Sequence, residues 1–348
     1  MSETGDTLVQ DSARRLFADL VPPAVVNAAE EGSWPEGLWD AVADAGFADA
    51  VAAASETPGD LAGLNDAALI LREAGRRAAP IPLAESMLAR WLLSGAGIDA
   101  PQGPLTLANV ERNGRFALRR EGERWRIEGR AANVPWAAEA RGVVACAEHH
   151  VALIPRDALD LRPGKSLAGE PRDDIAFDTV VEAKHLDSVD AAAVYRLGAL
   201  TRAVMMAGAL DEVLTLTVQY ANDRVQFGRP IGKFQAIQQQ LSVLAENVAA
   251  AGVVAGTAVD AVARDGAQHF SIAVAKARCG EAAGKVAEIA HQVHGAIGFT
   301  HEHRLHHLTR RLWSWRDEFG VESEWQVELG RLAAAKGGDG LWPLLTSW

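Results

Sequence analysis

Tyr220-Ala221-Asn222-Asp223-Arg224-Val225-Gln226-Phe227-Gly228-Arg229-Pro230-Ile231, continuing into Gly232-Lys233-Phe234-Gln235, reads as a helix end, a tight turn and a helix start. A helix that closes on Arg224 and restarts beyond a Phe-Gly-Arg-Pro turn leaves a fixed guanidinium beside freed backbone N–H groups, a setting suited to a diphosphate. Downstream, Phe234, Ile237, Leu241, Leu244 and Val248 put one apolar stripe on a long helix. The helical period holds from Ser188 to the end. Breakers at Asp265-Gly266, at Gly295 to Gly298 and around Gly320 divide this part into a bundle of four or five helices.

Upstream the texture differs. Between Pro104 and Leu186 apolar and polar residues alternate, as in Arg115-Phe116-Ala117-Leu118-Arg119 and Arg124-Trp125-Arg126-Ile127, with Glu121-Gly122 as the turn between them. Val143 to Cys146, Val151 to Ile154 and Ile175 to Val181 supply further strands. Before residue 103 the spacing of Leu16, Phe17 and Leu20, of Leu38 and Val42, and of Met87, Leu88, Trp91 and Leu92 is helical, broken at Pro22-Pro23, at Gly46 and at Ala79 to Pro82. The fold class expected is α+β: an N-terminal helical domain (1–103), a middle β domain (104–187) and a C-terminal four-helix bundle (188–348).

With 348 residues and 49% hydrophobic composition, the chain is long enough for two or three cores. Its net charge of -12 argues against nucleic acid and against an anionic membrane surface. Cys146 and Cys279 form no CxxC pattern, which fits a reduced cytoplasmic protein without a structural metal. The N-terminus has no basic segment leading into an apolar run, and no uninterrupted apolar stretch approaches membrane length, so neither secretion nor insertion is expected. His301, His303, His306 and His307 raise a metal site, but no carboxylate or thiolate completes a shell, and the plainer reading is a polar helix face. Trp313, Trp315 and Trp325 are expected in packing or subunit contact, with a cavity role open for Trp315.

The Arg224 to Ile231 run resembles the signature of the acyl-CoA dehydrogenase family, an Arg-x-x-Phe-Gly-x-x-Ile turn with a downstream Gln, here Gln235. A second segment, His291-Gln292-Val293-His294-Gly295-Ala296-Ile297-Gly298-Phe299-Thr300, is similar to the family's Gln-x-x-Gly-Gly-x-Gly-Tyr turn, with Ala296 in place of one Gly. The run from Leu71 to Glu85 matches as well. The resemblance covers nearly the whole chain. It implies FAD held by Arg224, Gln226, Phe227, Gln235, Gln292, Gly295, Ala296 and Gly298, at a site shared between two chains. It also implies an acyl-CoA substrate, an electron-transfer flavoprotein as acceptor, and a homodimer, a homotetramer or a heterotetramer with a second acyl-CoA dehydrogenase chain.

The family's chemistry needs a carboxylate to remove the proton α to the thioester. In most members this is a Glu in a Tyr-Glu-Gly-Thr-Ser run, and the corresponding stretch here is Trp315 to Glu324. Counted back from the helix expected to end at Arg331, Phe319 falls at the base position and Glu318 one residue away. Glu318 is the candidate base if the loop shifts by one, with Asp317 and Glu322 behind it. The alternative base position of some relatives matches Tyr195. Arg202 is the candidate contact for the CoA phosphates. The family's Thr-Glu-Pro-Gly-Ala-Gly-Ser-Asp run is replaced by Pro104 to Glu111, and its Trp-Ile-Thr flavin contact by Val134-Pro135-Trp136-Ala137. These departures resemble the shorter subunits of bacterial heteromeric acyl-CoA dehydrogenases, which implies the alternative of a noncatalytic subunit that completes a partner's FAD site.

Overall fold

The computed structural model describes residues 3–109, 111, 116–267 and 269–346. The chain opens with α1 (Glu3–Leu20), α2 (Pro23–Glu30), α3 (Glu36–Asp44), α4 (Ala50–Ala53), α5 (Leu64–Arg77) and α6 (Leu83–Gly95). Prolines set two of the breaks: Pro22-Pro23 separates α1 from α2, and the Ala79 to Pro82 segment separates α5 from α6.

The middle of the chain forms β1 (Thr106–Leu107), β2 (Ala117–Glu121), β3 (Arg124–Pro135), β4 (Gly142–Ala147), β5 (His150–Pro155), β6 (Asp160–Arg162), β7 (Arg172–Val181) and β8 (Ala183–His185). One sheet is ordered β1-β4-β5-β8 and the other β2-β3-β7-β6. Along β3 the alternation has its structural counterpart, with Arg126, Glu128 and Arg130 in solvent and Ile127 and Ala131 buried. Ile127, Val143, Ala152, Ile154, Ile175 and Phe177 form the core of this region. Val110 and Arg115, which belong to stretches read above, lie outside the described residues.

The C-terminal part consists of α7 (Ala191–Asp223), the short hairpin β9 (Val225–Gln226) and β10 (Arg229–Pro230), then α8 (Gln235–Asp265), α9 (His269–His294), α10 (Leu305–Asp317) and α11 (Glu322–Thr346). Asp190 starts α7 by accepting the Ala193 N–H at 2.6 Å. α7 is the central helix, contacted by α5 and by α8, α9 and α10. α11 does not end at Arg331: it continues past that residue and breaks at Gly337, whose φ of 66° and ψ of 178° are not helical. α8 is the one described helix long and apolar enough to cross a membrane. Its Leu244, Val248, Ala251, Ala255 and Ala258 are buried in the bundle.

Candidate functional site

Two features occupy the C-terminal bundle, a pair of turns at one end and a cleft against the β domain. At the first turn, Phe227 (φ 52°) and Gly228 (φ 78°) are both left-handed, the geometry of a two-residue hairpin with positive φ at both central positions. The pairing of Arg229 with Gln226 and of Pro230 with Val225 closes it. The side chains are left outside: Phe227 is 92% exposed and Val225 56%. Arg224 and Gln226 are exposed as well. The Arg224 carbonyl accepts the Ile231 N–H at 2.8 Å, which holds the guanidinium-bearing residue against the turn. Gln235 is exposed on the first turn of α8, whose cap residue Phe234 offers no side-chain acceptor, while its carbonyl accepts the Ile237 and Gln238 N–H groups at 3.0 Å. Arg229 lies over the Phe234 ring at 4.2 Å.

The second turn follows α9. Gln292 is exposed on the last turn of that helix, and residues 295–299 form one turn of 3-10 helix in which Gly295 has φ 64° and Gly295 and Ala296 are exposed. Gly298 is instead buried, and its role is packing. A β-carbon there would lie 3.1 Å from His294 and Leu305. Ring stacking brings the two turns to the same end of the bundle: Tyr220 on α7 stacks on His294 at 4.5 Å, and His291 stacks on Phe299 at 4.1 Å. Sequence reasoning missed this pairing of Tyr220 with His294, because contact between residues so far apart leaves no spacing signature. The exposed Arg224 and the α8 start at one turn, and the exposed backbone of Gly295 and Ala296 at the other, are groups of the kind that hold the phosphates of a dinucleotide.

Among the described residues no group of three His, Cys, Asp or Glu side chains is placed to hold a metal ion. The histidines behind the second turn pack against one another instead, His294 edge-on to His303 at 4.7 Å and His306 tilted against His307 at 4.0 Å. Burial, aided by neighbouring histidines, pulls the His294 ring down to about 4.

The cleft has a volume of about 770 Å³ and runs between the β domain (Asn133, Pro135, Ser166, Leu167, Arg172) and the bundle (Tyr195, Trp313, Asp317, Phe319, Glu324). Trp313 is the tryptophan on its wall. Trp315, the one given a cavity role from sequence, is in the core. Trp136 is also buried, edge-on to Trp34 at 5.9 Å, and packs toward the N-terminal helices while Pro135 borders the cleft.

Glu318 borders the cleft, but both of its oxygens are engaged. One accepts from Arg172 at 2.9 and 2.6 Å, the other from Arg202 at 2.6 Å. Burial would raise this carboxyl, yet the Arg172 and Arg202 charges and their hydrogen bonds prevail and hold it below its ordinary value. Phe319 packs beside it, edge-on to Tyr195 at 5.7 Å. Asp317 is pushed up by burial, and Glu322 is paired with Arg316. Arg202 is 2% exposed, with its guanidinium bonded to Glu85 and Glu318, so its assignment to the CoA phosphates is corrected: it meets no surface on which they could lie.

The Glu318 cluster continues through the protein. Arg172 also bonds Glu170, Glu170 bonds Arg311 at 3.0 Å, and Arg311 bonds Glu30 at 3.0 Å, where Arg310 and His307 converge too. Despite desolvation, the His307 hydrogen bond and the Arg311 and Arg310 charges bring Glu30 down to about 2. This clamp ties α2 and α6 to the β domain and to α7 and α10.

A long-helix bundle bearing two exposed turns at one end, with a β domain across a cleft, defines an α+β protein of helix-β-helix architecture. A family model described as acyl-CoA dehydrogenase, C-terminal domain, matches residues 192–316. The acyl-CoA dehydrogenase IpdE2 of Mycolicibacterium smegmatis is 30% identical over 320 residues, 88% of this chain and 91% of that protein. The Tcur3481-Tcur3483 steroid acyl-CoA dehydrogenase, solved as a variant, shares the fold with a TM-score of 0.82 at 24% identity, over 95% of this chain and 98% of its own. The ChsE4-ChsE5 complex from Mycobacterium tuberculosis does so at 0.81 and 22%, over 96% and 98%. The chain belongs to the acyl-CoA dehydrogenase family, whose cofactor is FAD.

Proposed function

We propose that the chain takes part in FAD-dependent α,β-dehydrogenation of an acyl-CoA thioester as one of two unlike chains, completing a FAD site while its partner supplies the catalytic base. Glu318 carries this reading. A general base needs a basicity suited to removal of the α proton, whereas this carboxylate accepts three hydrogen bonds from Arg172 and Arg202, whose charges hold it below its ordinary value. By the correspondence in sequence alone, the family's base position falls on Phe319 and the alternative one on Tyr195, neither of them a carboxylate. Bound at this site, FAD would supply the acceptor for the β hydride and the route of the electrons to an electron-transfer flavoprotein. This chain contributes the Arg224 guanidinium, Gln226, Phe227, Gln235 and the α8 start toward the phosphates and adenosine, and Gln292, Gly295 and Ala296 as the second wall, with Gly298 packed beneath it. Solved relatives named for two proteins, ChsE4-ChsE5 and Tcur3481-Tcur3483, support an assembly of unlike chains over a homodimer or homotetramer.

The test is co-expression with an acyl-CoA dehydrogenase chain encoded beside this one, read by mass, flavin content and acyl-CoA oxidation with an electron-transfer flavoprotein as acceptor. Flavin and turnover are expected only from the pair, with Glu318→Gln in this chain keeping its turnover per bound flavin. Full oxidation by this chain alone, abolished by Glu318→Gln, would establish the homomeric enzyme with its own base instead.

A further inference from the structure

Residues 318–321 join α10 to α11 and form one wall of the cleft. Their backbone is unfavourable on its own, because Phe319 (φ 53°) and Gly320 (φ 89°) are both left-handed and a residue with a β-carbon resists that region. Something outside the loop must hold it. Lys276 on α9, 0% exposed, donates to the Arg316 carbonyl at 2.8 Å and to the Gly320 carbonyl at 2.6 Å. The Trp325 indole donates to the Phe319 carbonyl at 3.0 Å. An ammonium buried this deeply would ordinarily sit against a carboxylate. Here it donates to two carbonyls that bracket the loop, and one of them belongs to the last turn of α10, where helix carbonyls lack partners.

With the carbonyls of 316, 319 and 320 held, the backbone sets the directions in which Glu318 and Phe319 leave the loop. Glu318 is delivered to Arg172 and Arg202. Phe319 is delivered onto α7 at Gly198, so closely that a β-carbon on Gly198 would lie 2.3 Å from its ring. The charged groups facing Lys276 are Glu318 and Asp317 from the α10 end, Glu322 from α11 and Arg202 from α7, with the Cys279 thiol on its own helix.

We infer that Lys276 is a positioning residue that sets the register of this loop, seating Phe319 against Gly198 of α7 and committing Glu318 to Arg172 and Arg202, at the place in the sequence where the family's base is expected. The inference deepens the proposed function, on which it rests only for the meaning of that position. The experiment reads where the ring lies, so it succeeds or fails without any flavin or acyl-CoA.

The full chain carrying 4-fluorophenylalanine at position 319 is followed by fluorine NMR, with a second sample labelled at Phe17 in the N-terminal core. In Lys276→Met the 319 resonance is expected to move and broaden while the Phe17 resonance stays in place. Gly198→Ala, which displaces the ring from the α7 side, supplies the reference for a dislodged ring. Lys276→Gln, which keeps a donor for one carbonyl, should fall between wild type and Lys276→Met, and it stands in for the latter if that variant does not fold. Amide exchange in residues 317–321 should rise about tenfold in Lys276→Met. A 319 resonance unchanged in both lysine variants, or one that moves together with the Phe17 reporter, overturns the inference.

Discussion

At the scale of single residues, the decisive fact is that Glu318 has become part of a buried clamp. Removing one partner of such a pair leaves the other charge without compensation, which costs about 3–5 kcal/mol. Glu318→Gln should therefore lower the urea unfolding free energy by about that amount, whereas Glu324→Gln, exposed on the first turn of α11, should stay within about 0.5 kcal/mol. The sign of the pH dependence follows. Glu30 falls from 4.5 to about 2 on folding and Glu318 shifts in the same direction. Their contribution is complete above pH 4.5 and disappears as pH falls toward the folded values, so acid unfolding should set in below that point and be shallower in Glu318→Gln. Lys276 acts at the other end of the scale: burial takes it from 10.5 to about 8, so the unfolded chain holds the proton longer and wild type should gain stability over Lys276→Met between those two values. None of this was legible in the sequence. Glu318 stood out by its place beside the base position, but its fate depends on Arg172 and Arg202, which lie 146 and 116 residues away.

Elements were read more faithfully than residues, for a physical reason. Helix and strand periods are local, so the stripe on α8 and the alternation along β3 were visible before any contact was known, and so was the Phe227-Gly228 turn. The extent of α11 was not, since nothing periodic marks its passage through Arg331 to the break at Gly337. The choice between Trp313 and Trp315 for the cleft wall also depended on how α10 is rotated against its neighbours. The turn after α9 carries its own prediction. Its His294 ring, moved from 6.5 to about 4 mainly by burial, is neutral in the folded protein, so its stabilising effect is whole above pH 6.5 and is lost as pH falls toward 4. His294→Gln should flatten the loss of thermal stability over that window. On the other turn, Arg224→Gln removes a charged hydrogen-bond donor worth about 1.5–3 kcal/mol. Flavin retention by the assembled protein should weaken by roughly ten- to a hundredfold, and unchanged retention would remove Arg224 from the site.

For the whole molecule, the order of helical, β and helical segments followed from the sequence, but the surface that needs a partner did not. A chain of net charge -12 has little reason to leave large apolar side chains in water, yet Val225, Phe227, Ile297 and Phe299 are all exposed on the two turns that Tyr220 and His294 hold together. Exposed apolar groups concentrated in this way mark a surface to be covered, and an aromatic side chain at the centre of such a surface is the usual site of concentrated binding energy. Phe227 is the natural anchor, because the hairpin lifts it clear of its own chain apart from an edge-on approach to Phe234 at 6.2 Å. Truncation should therefore cost the isolated fold almost nothing and the assembly a great deal. Phe227→Ala is expected to leave the thermal midpoint of the separated chain unchanged while weakening association by about 2 kcal/mol or more, roughly thirtyfold. Sedimentation over a concentration series measures this directly: an assembly as tight as wild type would mean that another face holds the chains together.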